Sequence, residues 1–362
     1  MNSESTENNT FLMIEFIINT KKRLSNLNIE FYYQILLQKW RSKEPRKKMQ
    51  KISKQIMKPD GFRIFITDIF AFMIFLAYNR LNMKNSESKK IVLITGASSG
   101  IGMDTALRLL KKGYTVYGAA RRTNLLSQLE QHGGHSIYLD LYDEQSMQDC
   151  VQKILQTEGR IDILINNAGF GLGGALETIP IETAKKQLDV NVFGLIRMTQ
   201  LVLPSMRSNR SGKIINISSI AGTFSSPFMG WYHASKYCVE ALSDALRLEA
   251  ACFGIKVIII EPGLIKTDWG IIAADYIEQN TKNTPYEYNG KNTADFYNRH
   301  YRKNRGASKI CVISKAIERA VQAKHPKLRY RAGKNALAYI IAGTFLPGAF
   351  LDFYKKMLFK IK

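Results

Sequence analysis

Residues 91–94 read Ile-Val-Leu-Ile, an apolar run suited to a strand buried on both faces, and the chain then enters Thr95-Gly96-Ala97-Ser98-Ser99-Gly100-Ile101-Gly102. A helical stretch, Met103 to Leu110, follows at once. Strand, glycine turn and helix in this order offer bare backbone N–H groups and the positive end of a helix dipole to a pyrophosphate. Gly96 is expected to permit the tight turn, Gly100 the close approach of the phosphates, and Gly102 the packing of helix on strand. Ser98, Ser99 and Ile101 belong to the same phosphate-binding stretch. The spacing is G-x-x-x-G-x-G rather than G-x-G-x-x-G.

Further strands are expected near 114–118, 135–139, 161–165, 213–217 and 255–260, alternating with segments of helical periodicity. Such alternation implies an α/β fold, a doubly wound parallel sheet. Ligands in these sheets lie outside the carboxyl ends of the strands, where the remaining motifs also fall.

One of those motifs is Tyr232-His233-Ala234-Ser235-Lys236, with Ser219 thirteen residues upstream. Residues four apart share a helix face, so Lys236 is placed beside Tyr232. A phenol titrates near ~10, and a neighbouring ammonium is expected to lower that value into a useful range. Tyr232 then exchanges a proton with a substrate oxygen to which Ser219 donates a hydrogen bond. Ser218, next door, should point the other way if the strand Lys213 to Ile217 continues through it.

Taken together, the glycine turn, Asn166-Asn167-Ala168-Gly169, Asn191, Ser219, Tyr232-x-x-x-Lys236 and Pro262-Gly263 stand in an order and spacing that resembles the short-chain dehydrogenase/reductase family. The resemblance runs from about Lys89 to Lys334 and implies a Rossmann-type sheet, a nicotinamide cofactor and an Asn-Ser-Tyr-Lys tetrad. By that resemblance Tyr232 is the acid/base, and Lys236 lowers its pKa and binds the nicotinamide ribose. Ser219 holds the reacting oxygen, and Asn191 supports a water-mediated proton relay. Asp140 and Leu141 cradle adenine, Asn167, Ala168 and Gly169 close the fourth strand, and Pro262, Gly263, Ile265 and Thr267 close over the carboxamide. A turn-capping role suits Asp140 and Asn167 equally well.

The second strand ends in Ala119-Ala120-Arg121-Arg122 with no acidic residue, and Ala120 stands where a ribose-binding carboxylate would be. Arg121 offers a phosphate bidentate, charge-assisted hydrogen bonds, so NADP(H) is expected in preference to NAD(H).

Residues 268–310 carry Trp269, Tyr276, Tyr286, Tyr288, Phe296, Tyr297 and Tyr301, and are expected to form a substrate lid. With Phe170, Leu172, Phe224, Phe228, Met229 and Trp231 nearby, they point to a lipophilic alcohol or carbonyl substrate, a sizeable one among small molecules, rather than a sugar. The Ala-Ala-Arg-Arg strand end and the Tyr-His-Ala-Ser-Lys helix look most like bacterial relatives of hydroxysteroid and retinol dehydrogenases. A 3-oxoacyl thioester reductase of lipid synthesis and a catalytically silent NADP-binding sensor or scaffold are the competing readings. An intact tetrad argues against the last.

Charge adds a second layer. Residues 1–90 carry a net charge of +9, residues 91–298 of −1 and residues 299–362 of +14. A nearly neutral centre excludes a nucleic-acid-binding core, and the basic flanks suit an anionic surface, a membrane being the simpler partner. The expected organisation is a basic N-terminal extension (1–88), a single catalytic domain (89–334) and an apolar, basic C-terminal tail (335–362). The apolar stretches 64–78 and 336–346 are too short to span a bilayer, and the first contains Asp68. A helix lying in the interface suits them better, although the second suits equally a helix packed on the substrate pocket or a second subunit. Lys355, Lys356, Lys360 and Lys362 around Leu358 and Phe359 are expected to touch membrane. Met83 opens a short polar lead-in of the kind that precedes a first strand, so translation is expected to begin there unless 1–82 form a real anchor. Cys150, Cys238, Cys252 and Cys311 form no C-x-x-C pair and read as reduced, mostly buried thiols of a cytoplasmic protein, with no metal. His233 is expected to be structural. A homodimer or homotetramer through the helices around Asn191 and Tyr232 follows from the resemblance.

Overall fold

The computed structural model describes residues 89–301 and 306–361. The expectations for residues 1–88, including the apolar stretch 64–78 and a start at Met83, lie outside the described residues, as do residues 302–305 of the expected lid.

The first half alternates β1 (Ile91–Thr95), α1 (Gly100–Lys111), β2 (Thr115–Ala120), α2 (Ser127–Gln131), β3 (His135–Tyr138), α3 (Glu144–Glu158) and β4 (Ile163–Asn166). Next come α4 (Ile181–Leu188), a π-helical turn Asp189–Gly194, α5 (Leu195–Ser208), β5 (Gly212–Ile217), α6 (Gly230–Ala250) and β6 (Ile255–Pro262). The chain then runs through α7 (Asp268–Thr281), α8 (Glu287–Tyr301), α9 (Cys311–Gln322), β7 (Arg329–Ala332), α10 (Ala336–Phe345) and α11 (Gly348–Phe359).

The strands pair in parallel in the order β3-β2-β1-β4-β5-β6-β7. Side chains alternate across each strand, so the sheet is packed on both sides. Val92, Ile94, Ile215 and Ile258 meet α1 and α9 on one face. Leu93, Leu164, Ile214 and Val257 meet α3 and α5 on the other. All five residues of β1 are buried, as the continuous apolar run requires. The expected doubly wound Rossmann-type sheet is the fold observed. Connections change direction between β1 and β4, which opens a crevice beyond their carboxyl ends.

β7 is a seventh strand that the sequence did not announce. Its residues Arg-Tyr-Arg-Ala have no apolar run because the strand lies at an edge and is held by charge. Glu261 of β6, fully buried, accepts from the Arg331 Nε at 2.8 Å. The Arg329 guanidinium reaches Glu240 at 3.1 Å and Asp244 at 2.7 Å, both on α6.

All four cysteines are free. Only Cys150 is buried, while Cys238 and Cys252 are exposed and Cys311 is half-buried, which corrects the expectation of mostly buried thiols. Cys238 lies on the solvent side of the long helix α6 and Cys252 in the turn after it, positions that periodicity alone does not distinguish. Among the described residues no cluster of His, Cys, Asp or Glu could hold a metal ion.

Candidate active site

Three loops build the floor of the crevice. Gly96 follows β1 at φ +66°, and a Cβ there would stand 2.7 Å from the Ala168 Cα, so only glycine admits the loop after β4 so closely. That loop is tied back by side chains. Thr95 Oγ1 accepts the N–H groups of Asn167 and Ala168, each at 3.0 Å, and Asn167 Nδ2 donates to the carbonyls of Thr95 and Gly96 at 3.0 and 3.1 Å. Asn167 therefore fixes the glycine turn, the capping role left open by its sequence. Gly102 is packed beneath: its Cβ would lie 2.4 Å from the Gly96 carbonyl oxygen. Gly100, at φ +58°, faces open space apart from a Thr267 methyl at 3.8 Å. Ser98, Ser99 and Ile101 complete this edge of a cavity of about 750 Å³.

The first turn of α1 has N–H groups without intrahelical partners, and Gly100 and Ile101 bring that turn to the cavity wall. A cradle of this kind, open at Gly100, fits a dinucleotide pyrophosphate. Arg121 and Arg122 line the same cavity just beyond β2, with Ala120 beside them. Asp140 and Leu141 stand past β3; one Asp140 carboxylate oxygen accepts the Tyr142 N–H at 3.1 Å, so it also caps its turn. Pro262, Gly263, Ile265 and Thr267 close the far side of the cavity.

Tyr232, Lys236 and Ser219 converge where this groove meets an apolar chamber. Ser219 follows β5; its hydroxyl accepts the Ala221 N–H at 3.1 Å and lies on the side of the Tyr232 phenol, where it favours the ionised form. Ser218 turns away toward Glu240, as the alternation of the strand requires. Lys236 lies one turn along α6 from Tyr232, donates to the Ile217 carbonyl at 2.8 Å, and holds its ammonium 5.8 Å from the Tyr232 ring centre.

The expected lowering of the phenol pKa is not what this arrangement produces. Burial pushes Tyr232 upward more than the Ser219 hydroxyl pulls it down, and the Lys236 ammonium faces a carbonyl rather than the phenolic oxygen. Burial also lowers Lys236 to about 8, against the attraction of Glu240 one turn further on.

Asn191 and Gly102 are the two expected site residues that stand behind the cavity wall. Asn191 lies in the π-helical turn, where its Oδ1 accepts the Phe170 N–H at 3.0 Å. Its Nδ2 donates to the Phe170 carbonyl at 2.9 Å and the Ser235 hydroxyl at 3.1 Å. It thereby locks the loop carrying Gly169 against α6. His233 is structural, as expected: the Ser226 N–H donates to Nε2 at 3.1 Å, which places the ring proton on Nδ1 and toward the Ala221 carbonyl at 2.9 Å. Burial lowers its pKa to about 4.

The lid packs over this junction. Trp269, Phe296, Tyr297 and Tyr301 line the chamber, with Phe170 and Phe224 from the loops. Tyr276 and Tyr288 instead face outward, and Tyr286 binds Glu177. Leu172, Phe228, Met229 and Trp231 belong to the packing around the chamber rather than to its wall. Helix α10 packs on this cavity, one of the packings left open for 336–346, whereas the part played by α11 was not expected. Ala342, Gly343, Leu351, Lys355, Leu358 and Phe359 form a wall of the cavity, so the two apolar residues expected at a membrane, Leu358 and Phe359, point inward. The helical spacing of the tail was the available signal.

Comparison with known proteins agrees with this geometry. The family model described as short chain dehydrogenase matches residues 90–274. The chain is 37% identical over 264 residues to a probable short-chain type dehydrogenase/reductase, VdlC, of Helicobacter pylori, covering 72% of this chain and 95% of that one. It is 45% identical over 179 residues to a 3-ketodihydrosphingosine reductase of Bacteroides thetaiotaomicron, covering 49% of this chain and 65% of the relative. Among solved structures, a short-chain dehydrogenase from Streptomyces avermitilis matches with a TM-score of 0.63 at 30% identity, over 76% of this chain and 100% of that one. With its parallel sheet, its glycine turn and its serine, tyrosine and lysine at one junction, the chain belongs to the short-chain dehydrogenase/reductase family of oxidoreductases.

Proposed function

We propose that the protein is an NADP(H)-dependent oxidoreductase that interconverts a ketone and a secondary alcohol on a lipophilic, lipid-like substrate. The observation that carries this reading is the position of Tyr232. Its phenol, in the same cavity as Ser219 and beside Lys236, stands where the phosphate-binding groove opens into an aromatic chamber.

A bound nicotinamide supplies the hydride. The residues of the chain do the rest. Tyr232 gives its proton to the carbonyl oxygen as negative charge develops there, and its raised pKa keeps the proton in place until that moment. Ser219 donates to the same oxygen, and Lys236 keeps a positive charge at the junction. Asn191 holds the loop beside Lys236 in place, the fixed wall that a proton relay requires. Arg121 would meet the 2′-phosphate that distinguishes NADP(H), and Ala120 leaves no carboxylate to repel it.

The apolar chamber favours a lipid over a sugar, and the Bacteroides relative, named for reduction of a keto-lipid, draws the substrate toward long-chain ketones rather than steroids or retinoids. Exposed Phe193, Tyr237, Leu242 and Leu248, on the π-helical turn and α6, suit a subunit contact. The test is NADPH consumption, followed by absorbance, across a panel of long-chain keto-lipids, 3-oxoacyl thioesters, steroids and retinoids. Turnover should be found with the keto-lipids and fall by about 10²- to 10⁴-fold in Tyr232→Phe with NADPH binding retained. A Tyr232→Phe variant at wild-type rate would remove the catalytic assignment.

A further inference from the structure

Helices α10 and α11 are two-faced in an unusual sense. Their inner faces line the cavity, yet their outer faces are also apolar. On α10, Leu337, Ile341 and Phe345 recur every fourth residue and form one exposed stripe. On α11, Phe350, Phe353 and Met357 form a second stripe. Phe345 is 77% exposed, and Phe353 and Met357 are each 60% exposed, values that packing among the described residues does not explain.

Charge identifies what covers the patch. Residues 334–362 hold five lysines against one acidic residue, Asp352, and of these lysines Lys334, Lys356 and Lys360 are exposed. A second copy of this chain seated on the patch would oppose its basic rim to an identical one, since a two-fold contact brings the same surface to itself. A bilayer carrying anionic lipid offers apolar depth to the stripes and negative charge to the lysines. Among the described residues no helix is long and apolar enough to cross a membrane, and α10 and α11 have the length of helices that lie in its surface.

We propose that the outer face of α10 and α11 docks on an anionic lipid bilayer. The inner face of the same pair walls the chamber next to Tyr232, so docking brings the apolar end of the cavity within one helix of the lipid. The consequence, that substrate is drawn from the membrane, rests on the keto-lipid reading above; the docking itself rests on the exposed faces and their charge.

Flotation of the full chain with phosphatidylcholine vesicles, with and without phosphatidylglycerol, tests it. The wild type should float with the anionic vesicles, and Phe345→Asp combined with Phe353→Asp should reduce the bound fraction at least tenfold. NADPH consumption with a small water-soluble ketone should be the same in both proteins, because neither residue lines the cavity. The proposal is overturned if the wild type stays with the soluble fraction, or if the variant floats equally well. It is also overturned if light scattering shows that the two substitutions split a dimer, which would make the face an interface between copies. Failure of every carbonyl substrate would remove the reductase reading and leave the flotation result standing.

Discussion

The indole of Trp269 stands 4.7 Å from the phenol ring of Tyr232, centre to centre, so α7 of the lid forms part of the environment of the acid/base. Gly171 makes room for it, since a Cβ there would lie 2.5 Å from the indole. Trp269→Ala should lower kcat/KM for long-chain ketones by about 10- to 100-fold, the scale of a lost large apolar contact. NADPH affinity, measured by fluorescence titration, should be unchanged. An equal loss in both would mean that the indole holds the fold rather than the substrate.

Lys236 should set the alkaline limb of activity. Burial lowers it to about 8, so its positive charge is present below that pH and lost above it, while Tyr232 is raised and keeps its proton. The pH profile of kcat/KM reports groups of the free enzyme and should therefore bend down near pH 8. Lys236→Arg is slower but stays charged, and its profile should lack that bend. A bend that persists in Lys236→Arg belongs to another group.

Cofactor choice should turn on two neighbouring positions. Arg121→Ala should weaken NADPH binding about 10- to 100-fold, the value of a charge-assisted pair to a phosphate, with little effect on NADH. Ala120→Asp should add a ribose partner and repel the 2′-phosphate, turning the NADPH-to-NADH ratio of kcat/KM further the same way. Unchanged ratios in both variants would place the 2′-position elsewhere.

His233 should make the fold sensitive to acid. Its folded-state value is lowered from 6.5 to about 4, so the unfolded chain takes up the proton first as pH falls. The stabilisation is whole above pH 6.5, declines between 6.5 and about 4, and amounts to about 3 kcal/mol in order of magnitude. Urea denaturation midpoints measured across this interval should drop with acid, and His233→Gln should flatten the drop. The Gln amide can still face the Ser226 N–H, so the variant should fold at neutral pH.

Much of this molecule was legible in its sequence, because a parallel sheet writes its strands as apolar runs and its ligand site as the residues just after them. Gly96, Asn167 and Ser219 sit at such ends, and Tyr232 and Lys236 show themselves by helical spacing in α6. β7 was not legible, since Arg329 and Arg331 are satisfied by carboxylates on α6 and β6 that no local pattern reveals. The stapling by Asn167 and Asn191 was equally hidden, because it depends on loops that meet only in three dimensions. Lid aromatics could be named but not sorted: Tyr297 and Tyr288 look alike in sequence, and only packing sends one inward and the other to solvent. The effect of Lys236 on Tyr232 was misread because helical spacing fixes a shared face but not the atom toward which an ammonium points.

Glu261 is both the counter-charge of the edge strand and the residue immediately before Pro262. An outermost strand ordinarily has wide latitude to change sequence, yet here a neutral residue at 331 would take the hydrogen bond from Glu261 and leave that buried carboxylate only the Arg329 ion pair at 3.4 Å, at the base of the loop expected to cover the carboxamide. Damage at the periphery of the sheet would then surface as poor hydride geometry, at a distance from the lesion that produced it.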